Sequence, residues 1–136
     1  MRHLALLSIL VPDYDEGIAF FVGTMGFELL EDTDLGGAKR WVRVAPKGAQ
    51  TGFLLARAVG ERQTAAIGNQ GGGRVWLFLH TDNFDKDYAE LRAKGVHFEE
   101  DPRDEPYGRL AVFNDPFGNR WDLIQLIPEL QQLPLR

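Results

Sequence analysis

The chain repeats itself, and this restricts the available folds more than any other feature. A shift of 70 residues brings Leu7 onto Leu77, Asp15 onto Asp85 and Ala19 onto Ala89. The same shift brings Val42 onto Val112, Pro46 onto Pro116 and Gly48 onto Gly118. Between these blocks a shift of 69 aligns GFELLED (Gly26–Asp32) with GVHFEED (Gly95–Asp101). Several of the matches fall on turns and helix starts, where sequence is most constrained by backbone geometry. We therefore expect one domain of two modules, residues 2–58 and 74–127, with a linker at 59–73 and a tail at 128–136.

Each module has the same order of elements. LALLSILV and RVWLFLH read as buried strands. Acidic residues follow in PDYDE and TDNFDKD and favour helix N-termini through capping and the helix dipole. The first helix is expected to place Ile18, Phe21, Val22 and Met25 on one stripe, and the second Phe84, Tyr88 and Leu91. Gly26 and Gly95 stop the helices. Three strands then complete each module: FELLED, RWVRVAP and TGFLLAR, then VHFEED, LAVFND and RWDLIQL. In DPFGN, Pro116 presets a turn and Gly118 closes it. The glycine-rich ERQTAAIGNQGGGR reads as a flexible linker, and its GGG lacks the context of a phosphate loop.

Composition removes several functions. With no cysteine, thiolate metal sites, disulfides and cysteine nucleophiles are excluded. A net charge of −5 with scattered basic residues argues against nucleic acid. LALLSILV has no small-residue cleavage site after it, and no apolar run approaches the roughly 20 residues of a membrane span. We expect a cytoplasmic protein without membrane or nucleic-acid partners.

Two βαβββ modules, the DPFGN turn before WDL, and a helix start of the form DYDEGIAFF together resemble the vicinal oxygen chelate superfamily. That group includes glyoxalase I, extradiol dioxygenases, fosfomycin-resistance enzymes and bleomycin-resistance proteins. The resemblance covers Leu4 to Leu126. It implies an α+β fold in which two βαβββ modules form a curved mixed sheet around a cleft, with short chains paired as homodimers. It also implies four metal-ligand slots at equivalent strand positions, which the repeat places at Leu6, Gly52, Trp76 and Asp122. A two-residue slip on the shorter strand puts Leu54 or Gln50 in place of Gly52. Leucine, glycine and tryptophan donate nothing to a divalent metal, so no metal and no cofactor are expected. His3, His80 and His97 do not cluster.

Alternation puts Trp121 and Leu123 under the helices and Asp122 on the opposite face, with Leu6, Ser8, Trp76, Phe78 and Leu54. Three roles are open to Asp122: an ion pair with Arg74 or Arg109, a ligand contact or proton-transfer group, or a metal ligand. Tyr107 and Arg109, in EPYGRLAVF, are expected at the cleft mouth; Trp41 is left unplaced. The expected ligand-binding set is Leu6, Trp76, Phe78, Tyr107, Arg109 and Asp122. The leading reading is a metal-free protein of bleomycin-resistance type that holds an aromatic or amphipathic small molecule. The alternative is a glyoxalase- or dioxygenase-like lyase or isomerase using Asp122 as acid or base.

Overall fold

The strand-rich pattern of each half produces its own mixed sheet. In the computed structural model, which describes residues 1–131, the chain divides into two compact units, Met1–Gln70 and the portion from Gly71 onward. The first sheet contains β1 (Leu6–Val11), β2 (Glu28–Gly36), β3 (Lys39–Ala45) and β4 (Gly52–Arg57) in the order β1-β4-β3-β2. The second contains β5 (Val75–His80), β6 (His97–Phe98), β7 (Arg103–Glu105), β8 (Gly108–Asn114) and β9 (Arg120–Leu126). Its order is β5-β9-β8-β6, with β7 also paired to β8. In each unit the first and last strands run parallel and the remaining pairs antiparallel. Among the described residues no helix is long and apolar enough to cross a membrane.

Asp13 caps the first helix, α1 (Tyr14–Ile18), by accepting from Glu16 N–H. The helix then continues as a π-helical segment, Ala19–Thr24, in which Met25 N–H donates to the Phe20 carbonyl five residues back, at 2.8 Å. That widened turn breaks the 3.6-residue period. Tyr14, Gly17, Phe20 and Phe21 are buried, whereas Ile18, Val22 and Met25 are only partly covered. Phe21 meets Phe53 of β4 at 5.5 Å between ring centroids. In α3 (Phe84–Ala93), Phe84 and Leu91 are buried as the regular period requires. Gly26 and Gly95 follow these helices with φ of 74° and 88°.

One device appears in both units. The Arg40 guanidinium lies 5.3 Å from the Tyr14 ring centre and donates to Asp15 at 2.9 Å and Asp32 at 2.7 Å. The Arg109 guanidinium lies 5.6 Å from the Phe84 ring centre and donates to Asp85 at 3.1 Å and Asp104 at 3.0 Å. A shift of 70 carries Tyr14 to Phe84 and Asp15 to Asp85, and a shift of 69 carries Arg40 to Arg109. In each case the arginine ties a helix start to the sheet through a cation–π contact and an ion pair.

The segment read as a flexible linker has structure. Gly60–Ala66 forms helix α2, and Gln70 then reaches the outer edge of β1. Its Oε1 accepts from Leu10 N–H at 2.8 Å and its Nε2 donates to the Ser8 carbonyl at 3.1 Å. The amide thus takes the place of a strand residue opposite Ile9 and covers part of an open edge. The VHFEED strand is reduced to His97–Phe98, with β7 following separately. In the tail, Pro128–Gln131 forms a helical turn; residues 132–136 lie outside the described residues.

The turn between β8 and β9 is organised by its first acid. Asp115 Oδ1 accepts from Phe117, Gly118 and Asn119 N–H, each at 3.0 Å. Its Oδ2 accepts from Asn119 Nδ2 at 2.9 Å and from Trp121 Nε1 at 3.0 Å. A buried carboxylate satisfied five times over fixes both the turn and the strand it launches. Asp115→Ala should lower unfolding stability by about 3 kcal/mol, measured by urea denaturation, because it strips acceptors from buried donors.

Candidate functional site

The hairpin register decides which β9 side chains face α3. Trp121 pairs with Phe113 and stacks on it at 5.5 Å; Phe113 meets Phe98, and Phe98 meets Tyr88 of α3. Trp121 and Leu123 therefore belong to the helix-side core, as alternation requires. Asp122 points the other way, in register with Phe78 of β5 and Val112 of β8. His80, Ile124, Leu110 and Arg103 form the next row of this face, on which His80 and Arg103 are exposed and Ile124 and Leu110 are buried. Phe78 is 62% exposed, an unusual state for a ring beside a carboxylate that is only 9% exposed.

The expected partners of Asp122 are engaged elsewhere or absent. Arg109 pairs with Gln125 in the ladder and projects to the helix side, where it serves the clamp on α3. This corrects its placement at a cleft mouth with Asp122: residues of opposite parity in one hairpin cannot share a face. Arg74 forms no ion pair with Asp122 either, and Asp122 Oδ1 is buried without a hydrogen-bond partner. Desolvation consequently pushes the carboxyl above the ordinary aspartate range. The positive charge of Arg103 opposes that rise, Glu100 adds to it, and Arg120 opposes it.

Arg103 and Glu100 are the residues that sequence reasoning missed. Arg103 sits in a three-residue strand that no periodicity announces. It donates to Glu100 at 3.1 Å and to Glu105 at 2.8 Å. These carboxylates, with a smaller contribution from the Tyr107 side chain, hold its guanidinium in the charged form. Tyr107, 41% exposed, is thus linked to the face of Asp122 through Arg103.

The register also tests the metal slots. In the first unit Leu6 does pair with Gly52. In the second, an irregularity between Val75 and Leu77 takes Trp76 out of step, and Phe78 rather than Trp76 faces Asp122. Because Leu7 pairs with Phe53 as Leu77 pairs with Trp121, the counterpart of Asp122 is Leu54, paired with Ser8. Relative to the shift of 70, β3 is already one residue out of step and the first hairpin loop is one residue longer, so Gly52 is not the equivalent position. The matched open-face positions are therefore Ser8, Leu54, Phe78 and Asp122, with a single carboxylate among them. A Cβ on Gly52 would stand 2.5 Å from the Val44 carbonyl oxygen, so no ligating side chain fits there unless the backbone moves. Among the described residues no group of three or more His, Cys, Asp or Glu is placed to hold a metal ion. The donors do not fit the divalent metal that the resemblance implies.

Trp76 packs on the glycine run: a Cβ on Gly71 would come within 2.6 Å of its own Cβ. Trp41, by alternation with buried Val42 and Val44, lies on the open face of the first sheet and is 37% exposed.

Since the folded carboxyl of Asp122 binds its proton more tightly than the unfolded one, its contribution to stability is greatest in acid. That contribution is lost as pH rises from the ordinary aspartate range through the folded value. Asp122→Asn should therefore gain stability relative to the parent at pH 7 and little or none below about pH 4, measured by denaturation across pH.

Comparison with known proteins agrees with this architecture. The model for the Glyoxalase/Bleomycin resistance protein/Dioxygenase superfamily matches residues 2–123. An uncharacterized protein of Shewanella frigidimarina is 48% identical over 127 residues, spanning 92% of this chain and 94% of the relative. The crystal structure of TnmS3, an antibiotic binding protein from Streptomyces sp. CB03234, superimposes with a TM-score of 0.74 at 35% identity, covering 93% of this chain and 98% of that one. UcmS2 gives a TM-score of 0.78 at 31% identity, covering 91% and 98%. The chain belongs to the Glyoxalase/Bleomycin resistance protein/Dioxygenase superfamily.

Proposed function

We propose that this protein holds an aromatic or amphipathic small molecule without a metal ion. The observation that carries this reading lies in the second unit, where the exposed ring of Phe78 stands in register beside one carboxylate, Asp122. An exposed ring next to a polar group short of partners has the make-up of a ligand surface, where apolar area gives affinity and a few polar groups give orientation. The similarity to TnmS3, an antibiotic binding protein, supports the same reading. Pairing of two chains, as the family resemblance implies, belongs to it.

Isothermal titration with zinc, manganese and nickel salts should give no stoichiometric binding. A tight site with one metal per chain contradicts the proposal.

The raised pKa of Asp122 favours a second reading, a lyase or isomerase in which this residue exchanges a proton with substrate. Asp122→Asn separates the two. With a substrate that the parent turns over, loss of turnover by 100-fold or more, in the usual range for removing a general acid or base, assigns catalysis. Retention of a bound ligand with no turnover in either protein assigns binding.

A further inference from the structure

The open face of the second sheet limits the chemistry of what it accepts, and this inference rests on the ligand-holding reading above. Phe78 and Asp122 are register neighbours on adjacent parallel strands and point to the same side. Phe78 presents most of its ring to solvent, whereas Asp122 is more than nine-tenths buried. None of the described residues donates to Asp122; its Oδ1 is buried without a partner, which leaves Oδ2 as the oxygen open to a ligand. A carboxylate ordinarily accepts several hydrogen bonds, so this one is held short of donors.

The surroundings discriminate among donors. Arg103 and Arg120 are the cations that act on Asp122, and Glu100 is the other acid. Arg103 is already committed to Glu100 and Glu105, and Arg120 to Glu99 at 2.9 Å. Both guanidinium groups are offset by their own carboxylate partners, and Glu100 with Asp122 disfavours an anionic ligand, while a charged ligand of either sign must give up water to enter. A neutral donor satisfies the acid without bringing further charge into a partly desolvated site.

We propose that this face takes a planar aromatic molecule whose ring lies against Phe78 and whose neutral hydroxyl donates a hydrogen bond to Asp122. The ring contact supplies non-directional apolar burial, and the hydroxyl sets orientation, since a misplaced ligand leaves Asp122 without its donor.

Two matched probes test it on the full, isotopically labelled chain by NMR titration: 2-naphthol and its methyl ether, 2-methoxynaphthalene. Both carry the same ring, and only the first donates. 2-Naphthol is expected to shift the backbone signals of Phe78 and Asp122 and to bind at least roughly tenfold tighter than the ether. In Asp122→Leu, which keeps the side-chain size, the two probes are expected to bind alike. If the parent binds both equally at Phe78, the donor inference is wrong and the ligand-holding reading stands. The inference also fails if the preference for naphthol survives in Asp122→Leu, because the hydroxyl then donates elsewhere. If neither probe moves these signals, both the inference and the reading beneath it fall.

Discussion

The hydrogen bonds accepted by Asp115 determine much of what the second unit can do. They close the turn after β8, grip the Trp121 indole and so fix the pairing of β9 with β8. In a strand a one-residue slip exchanges the two faces. With Trp121 held beneath α3, Asp122 must project to the open side with Phe78, although burial without a donor is unfavourable for it. The strain on Asp122 follows from a turn whose polar groups are well satisfied and a tryptophan that packs well.

The two modules kept their helix-side chemistry and diverged on the open side. Arg40 over Tyr14 and Arg109 over Phe84 perform the same job at corresponding places in the two units. Both clamps join an aromatic contact to an ion pair. Ion pairs this exposed contribute little singly, so their value lies in setting where each helix begins. At the matched open-face positions the modules instead carry Ser8 with Leu54, and Phe78 with Asp122. The clamp residues are alike where helices need orientation, and the side chains differ at the matched positions on the other face.

Much of the fold was legible because it follows short-range rules. Strand alternation placed Trp121 and Leu123 in the core and Asp122 opposite, and acidic residues marked both helix starts. Misreadings arose where a rule was broken locally. The π turn after Ile18 shifted the buried stripe to Phe20 and Phe21. One residue of slip before β3 and one extra residue in the first hairpin loop together moved the counterpart of Asp122 from Gly52 to Leu54, and an irregularity in β5 displaced Trp76. Arg109 was expected at the cleft mouth or paired with Asp122, and its pairing with Gln125 excludes it from the Asp122 side. Arg103 gave no signal, because a three-residue strand has too little pattern to read.

Asp122 is an acid deprived of donors by the fold around it. Carbon-detected NMR of its side-chain carboxyl, followed across pH in the ligand-free protein, measures this directly. A titration midpoint above the ordinary aspartate range is expected, with desolvation outweighing Arg103 and Arg120. A midpoint at or below that range would mean that one of these arginines, or another donor, engages the carboxylate, and the unsatisfied acid on which the account rests would not exist.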